Sequence, residues 1–244
     1  MPICGAVRSL NLDEVDEAAH LMAAAFLYSP VYIYIFEGLD AEKRQEALFW
    51  LFNRNIYLRL SSSRCAFDEI SGKMVCCYML HGSDDKNISI WSMLTNGILT
   101  LPFLYGLKAF TRLLEVKAYH ERLDDGLRKT RIINTKKYIT LERMVVSPTV
   151  QGHGIGSKCL HDGLIEAQRS GVDVYLTTQE IRNISFYSRL GFVVIRKDED
   201  YPFRLQSIEC DKEDNVQKGE LHTIMNTVMV KSYATSSQDT LEGI

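Results

Sequence analysis

Residues Gln151-Gly152-His153-Gly154-Ile155-Gly156-Ser157 carry a glycine at every second position. They lie between an apolar run ending at Val146-Ser147-Pro148 and a run that sets Leu160, Leu164 and Ala167 on one face. Tyr138 to Val146 reads as a strand, Pro148 stops it, and the residues after Gly156 read as a helix. A turn of this kind binds anions. The first turn of a helix leaves backbone N–H groups without partners and carries partial positive charge, and glycines let phosphate oxygens come close to it. The stretch predicts a pyrophosphate site made of main chain.

Spacing narrows the ligand. A Walker A loop needs lysine directly after its last glycine, but here Ser157 comes before Lys158. A dinucleotide fingerprint needs a third glycine where Ser157 stands, although Asp173 lies about where a ribose-binding acid would be. The pattern that fits is Q-x-x-G-x-G (Gln151, Gly154, Gly156) after V-x-P (Val146, Pro148). It resembles the acetyl-CoA-binding motif of the GNAT superfamily of N-acetyltransferases. Downstream, Arg182-Asn183-Ile184-Ser185-Phe186-Tyr187-Ser188-Arg189-Leu190-Gly191-Phe192 is similar to the R-N-x-x-F-Y-x-R-L-G-F segment of the puromycin N-acetyltransferase-like branch. The resemblance runs over residues 138–196.

That resemblance implies an α/β (α+β) fold. Its central sheet is mixed but mostly antiparallel and twisted, has about seven strands, is splayed at the acetyl-CoA site and is flanked by helices, with a helical insertion before the core strand. It also implies direct transfer of acetyl from acetyl-CoA, as co-substrate, to an amine, with no acyl-enzyme and no metal. The main chain of Met144, Val145 and Val146 would pair with the pantetheine arm, and Gln151, Gly152, His153, Gly154, Ile155, Gly156 and Ser157 would hold the diphosphate. Tyr187 matches the family tyrosine that faces the sulfur. A phenol is protonated at neutral pH and can give its proton to a leaving thiolate.

Asn183, one turn before Tyr187, would face the cofactor or cap its helix. For the base, Glu142 lies two residues beyond Thr140, on the same side of the strand. Thr140 and Thr177 stand where some relatives carry glutamate. Tyr28, Tyr32 and Tyr34 fall in the region that lines the acceptor pocket in this fold, the alternative being core and surface aromatics. His81, at a strand end, is a base or a structural residue. Neutralising a lysine-like amine at pH 7 costs roughly 4–5 kcal/mol and an α-amine about 1. A site without a strong base therefore favours a small-molecule acceptor of low pKa. The alternatives are a protein or peptide acetyltransferase of the same fold, and a non-catalytic acetyl-CoA-binding domain.

The elements that must position these residues follow from pattern. Ile3 to Leu10 suits a strand, and Asn11 with Glu14 resembles a capping box ahead of Val15, Ala18, Met22 and Phe26 at helical spacing. Val31 to Phe36 reads as an aromatic segment between helices. Asp40 caps a second helix from Ala41 to about Arg59, and Arg64–Ile70 with Lys73–His81 reads as a hairpin. Asn87 to Met93 suits a short extended piece. Gly106 to Leu123 is amphipathic, inside an insertion spanning about residues 95–135 that forms a wall of the acceptor site or a dimer face. Arg128, Lys129, Arg131, Lys136 and Lys137 read as a solvated loop. Val172–Thr177 is a strand, Asn183–Leu190 a helix closed by Gly191, and Phe192–Arg196 a strand. A charged loop at 198–219 precedes a last strand, Leu221–Lys231. Residues 1–232 are expected to form a single domain, and 233–244 a flexible tail.

The 244 residues carry a net charge of −3 with scattered basic residues, which argues against nucleic acid as a partner. Six cysteines without a C-x-x-C pair or metal-ligand spacing read as reduced thiols in the cytoplasm or nucleus. The longest apolar run, Gly97 to Phe110, is broken by Pro102, Gly106 and Lys108, short of the ~20 residues of a membrane span.

Overall fold

Cys76 and Cys77 are adjacent and both fully buried, which needs a strand covered on both faces. The computed structural model, which describes residues 4–83, 85, 90–129, 137–198, 204–205, 222–223 and 226–233, provides one. The first half contains β1 (Arg8–Ser9), α1 (Val15–Phe26), α2 (Pro30–Ile35), α3 (Ala41–Leu58), β2 (Ser63–Phe67) and β3 (Met74–Gly82). Three helices follow, α4 (Ile90–Thr95), α5 (Leu101–Tyr105) and α6 (Leu107–Lys129). Then come β4 (Tyr138–Val146), α7 (Ile155–Arg169), β5 (Asp173–Thr178), α8 (Ile181–Arg189), β6 (Val193–Asp198), β7 (Arg204–Leu205), β8 (His222–Thr223) and β9 (Asn226–Lys231).

Seven strands form one sheet in the order β1-β2-β3-β4-β5-β9-β6; β4 and β5 are parallel and every other pair is antiparallel. Alternate residues feed two cores. Cys77, Met79, Val145, Tyr175 and Val228 pack with α1, α2, α3 and α6 on one face, while Cys76, Tyr78, Leu141, Leu176 and Met229 pack with α7 and α8 on the other. The expected mixed, mostly antiparallel sheet of seven strands is present.

Local chemistry sets the helix ends. Asn11 and Glu14 form the reciprocal capping box, and the Asp40 carboxylate accepts from the Lys43 N–H at 2.8 Å. Gly191, at φ 87°, closes α8 in a Schellman motif: the Phe192 N–H donates to the Tyr187 carbonyl at 3.1 Å and the Gly191 N–H to that of Ser188 at 3.0 Å.

Several expectations change. Val31 to Phe36, expected as a segment between helices, is largely helix α2: Pro30 occupies the first helical position, where a missing N–H costs nothing. The extended reading of Asn87–Met93 gives way to α4 from Ile90 onward, and Asn87 to Ser89 lie outside the described residues. The first strand shrinks to Arg8–Ser9 with an isolated bridge from Cys4 to Asp68. Helix α6 runs to Lys129, so Arg128 and Lys129 extend a helix; Arg131 and Lys136 lie outside the described residues. Of the loop read at 198–219, Arg204–Leu205 pairs with His222–Thr223, and of the tail at 233–244 only Tyr233 is described.

Candidate active site

Strands β4 and β5 stay paired over three positions, Tyr138 with Asp173, Ile139 with Val174 and Thr140 with Tyr175. Beyond Thr140 they part. Strand β5 continues against β9 through Thr178, and β4 continues against β3. The cause of the parting lies in β4. Opposite the step from Cys77 to Met79 its register shifts, and Arg143 takes φ 51°, the left-handed region. A side chain there costs about 1–2 kcal/mol and bends the strand, as a bulge does. The edge of β4 that faces the opening, from Leu141 to Val146, keeps main-chain groups that β5 does not pair.

A cavity of about 350 Å³ begins in this opening and runs under α2, α3 and α6. Leu141 to Met144 and Thr177 to Glu180 line its sheet end, with Asn183 and Tyr187 from α8. Tyr187 packs with Phe186 and Phe192 in the core on the α7–α8 face, yet lines a cavity that reaches the opposite core. The gap in the sheet is what lets it reach through. Burial pushes its phenol well above the ordinary value, so it stays a proton donor.

On the far wall, Glu142 sits among cations. Its Oε2 is 2.8 Å from Arg143 Nη1 and its Oε1 is 3.0 Å from His81 Nε2, an approach too poorly aligned to count as a hydrogen bond. Burial alone would raise its pKa, but Arg143, His81 and Arg59 outweigh that and hold the carboxyl well below the usual range. Burial works against the charge of Arg143, and Glu142 and Tyr32 together outweigh it. Burial pushes the pKa of His120, from α6, downward. The Tyr175 hydroxyl donates to Asp124, also from α6.

The glycine turn lies at the other end of β4. Gly152 and Gly154 have φ of 83° and 76°, and a Cβ on either would meet nothing within 4 Å. Gly154 is the N-cap of the 15-residue α7, whose first closing bond runs from the Lys158 N–H to the Gly154 carbonyl at 3.0 Å. The N–H groups of Ile155, Gly156 and Ser157 therefore precede the helix ladder. Gly156 differs from its neighbours. A Cβ there would stand 3.1 Å from Val146 Cγ2 and 3.5 Å from Met144 Cε, so its small size serves close packing of α7 on β4. The Gln151 side chain donates to the Val146 carbonyl at 2.9 Å and ties the turn to the strand end. His153 Nδ1 lies 3.0 Å from the Gln151 carbonyl.

With these placements, the sequence-derived residues sort themselves. Met144, Glu142, Asn183, Tyr187 and Tyr32 converge on the cavity, and Tyr32 is half-buried there against Phe26 and Phe52. Asn183 donates to Thr178 Oγ1 at 3.2 Å, which pins α8 to the end of β5. Tyr28 is 53% exposed and Tyr34 donates to Glu115 at 2.7 Å; neither lines the cavity. Val145 is buried in the core on the α1–α3 face. Sequence reasoning left Arg59, Arg143, His120 and Asp124 without a role.

Residues 119–194 match the family model of the acetyltransferase (GNAT) domain. Three solved structures share the architecture over nearly the whole chain. They are the putative arylalkylamine N-acetyltransferase 7 of the mosquito Aedes aegypti (TM-score 0.60, 14% identity, 93% of this chain and 86% of that one), the polyamine N-acetyltransferase of Drosophila melanogaster (0.59, 12%, 94% and 100%), and the histone acetyltransferase HPA2 and related acetyltransferase of Corynebacterium glutamicum (0.58, 18%, 96% and 99%). This is the GNAT fold. The gap between β4 and β5 and the bulge at Arg143 open onto the cavity, and the turn at the head of α7 lies beyond the other end of β4. Gly152 and Gly154 leave open space beside unpaired N–H groups, and unpaired main chain leads from there to Tyr187, so the residues present fit acetyl-CoA. Among the described residues no group of three or more His, Cys, Asp or Glu side chains could hold a metal, and no helix is long and apolar enough to cross a membrane.

Proposed function

We propose that the protein is an N-acetyltransferase that moves an acetyl group from acetyl-CoA to the amine of a small molecule. The observation that carries this reading is the cavity: it opens where β4 and β5 part, with Tyr187 on one side and the Glu142–His81 pair on the other. Its roughly 350 Å³ and its helical walls suit a small acceptor rather than a polypeptide.

In this reading the N–H groups of Gly152 to Ser157 and the dipole of α7 hold the diphosphate, and the exposed edge of β4 from Met144 to Val146 positions the pantetheine arm. Acetyl-CoA supplies an activated acyl group as a thioester. Tyr187 donates a proton to the sulfur as it leaves. Glu142 is held so firmly as an anion that it accepts a proton poorly. Its charge, 3.0 Å from His81 Nε2, stabilises that ring when positive, and His81 takes the proton of the acceptor amine. Tyr32 and Trp50 contribute aromatic wall, and Asn183 positions α8. Tyr28 and Tyr34 stand aside from the transfer.

The segment Arg182 to Phe192 supports placing the chain near the puromycin N-acetyltransferase-like branch, and its free thiols suit the cytoplasm or nucleus. Residues 1–232 would act as one domain. The test is release of free thiol from acetyl-CoA across a panel of small amines and peptides. We expect turnover with small amines, and turnover with peptides alone would overturn the choice of acceptor. Tight acetyl-CoA binding with no turnover on either would make the protein a sensor.

A further inference from the structure

The cavity holds a cation that a plain amine acceptor has no use for. Arg54, Arg59, Lys117 and Arg143 line it. Lys117 pairs with Glu121 and Arg143 with Glu142. Arg54 lies over the Trp50 ring at 4.1 Å and donates to the Trp50 carbonyl at 3.3 Å. The guanidinium of Arg59 has neither an ion pair nor a hydrogen bond among the described residues.

The backbone of Arg59 is held firmly, because it caps α3. Its N–H donates to the Asn55 carbonyl at 3.1 Å, and its own carbonyl accepts from Ser63 Oγ at 3.0 Å. The side chain is half-buried, and burial works against its charge. Three carboxylates lie close enough to act on it, Glu142, Asp85 and Asp124. Each is engaged elsewhere: Glu142 with Arg143 and His81, Asp85 with the Gly82 N–H at 2.8 Å, and Asp124 with the Tyr175 hydroxyl. A desolvated guanidinium aimed into a ligand cavity, among carboxylates that are already spoken for, is an anion site.

We propose that the acceptor carries a carboxylate beside its amine, as an amino acid does, and that Arg59 binds that carboxylate. This rests on the acetyl-transfer reading and narrows its substrate class. The two groups fit one another. A guanidinium close to an ammonium disfavours the charged amine, so the residue that grips the acid also eases loss of the proton before attack. An acceptor with an amine alone would offer the Arg59 guanidinium no anion to bind.

The experiment compares amines that differ by one carboxylate: phenylalanine with phenethylamine, methionine with 3-(methylthio)propylamine, and arginine with agmatine. Binding is measured by titration calorimetry with free coenzyme A present, and acetyl transfer is followed on the same pairs. In at least one pair the acid should bind about tenfold or more tightly. Arg59→Ala should collapse that ratio towards one, while Arg59→Lys, which keeps the charge and loses the fork, should retain part of it. The proposal is overturned if no acid is preferred or binds at all, or if Arg59→Ala weakens both members of a pair equally. Preference in binding without acetyl transfer would sink the enzymatic reading and leave the carboxylate site standing. Transfer to both members alike would do the opposite.

Discussion

Glu142 is an anion flanked by cations, and its response to pH follows. Its folded pKa lies below the unfolded value, so the native state favours the charged form; the stability this contributes is present above the unfolded pKa and is lost as the pH falls through the folded one. Glu142→Gln should therefore melt below wild type above about pH 5, and the margin should shrink below about pH 4. Thermal melts of both proteins across that range check it, and a margin undiminished at about pH 3 would mean the carboxylate is not held ionically. Tyr187 makes a different test. Tyr187→Phe removes only the proton donor, so kcat should fall about 100-fold or more with little change in the affinity for acetyl-CoA. Equal turnover in the two proteins would remove Tyr187 from the reaction. At this scale the sequence was readable where the chemistry is local: the glycine turn and the tyrosine each sit in a motif of a dozen residues or fewer. It was unreadable at Arg59, which arrives from the end of α3, and it left His81, from β3, as either a base or a structural residue. No spacing links these two, and only the fold brings them to Glu142; Arg143 is its neighbour in sequence, but nothing local announced the bulge there.

The glycines of α7 and its preceding turn separate binding from packing at the level of the element. Gly154 stands at positive φ over open space, so Gly154→Ala adds about 1 kcal/mol of backbone strain and pushes the turn off its geometry. It should lower acetyl-CoA affinity about tenfold or more while lowering Tm by only a few degrees. Gly163 has the opposite character. A Cβ there would come within 2.7 Å of Tyr78 Oη, which donates to the Cys159 carbonyl, and 3.0 Å of Leu80 Cδ1. Overpacking of that kind costs about 1–3 kcal/mol, so Gly163→Ala should lower Tm by roughly 3–10 °C with acetyl-CoA affinity kept. If the two variants lose affinity alike, the turn has no special role in binding. Elements were legible in proportion to how much of their signal is local. Asp40 and the capping box at Asn11 mark helix starts that the structure keeps, and Gly191 closes α8 as its position implies. Segments α2 and α4 were both misread, and α2 shows why. The residues of α2, Pro-Val-Tyr-Ile-Tyr-Ile, look like strand by propensity, and the burial of Val31, Ile33 and Ile35 in the core against α6 overrides that propensity.

For the molecule as a whole, the two cores are joined through one interruption of the sheet, and everything placed there depends on that interruption staying open. The strand order could not be read from the sequence, because β9, last in the chain, slots between β5 and β6, and no local pattern announces an insertion of that kind. That placement backs β5 with a partner on its far side and frees its near side to part from β4. A sheet opened in this way leaves unpaired main chain along its two lips, which a ligand of extended shape would close. Acetyl-CoA at about 100 times its Kd should therefore stabilise the fold by about 2.7 kcal/mol, a rise in Tm of roughly 5–10 °C for a chain of this size. Hydrogen exchange gives the place as well as the size of the effect. Protection should rise at the first turn of α7, along β4 from Leu141 to Val146 and in α8, and should leave the hairpin of β2 and β3 near Ser71-Gly72 as it was. A rise in Tm with protection spread evenly over the sheet would put the ligand somewhere other than the gap, and no rise at all would leave the path through the sheet without the carrier it fits.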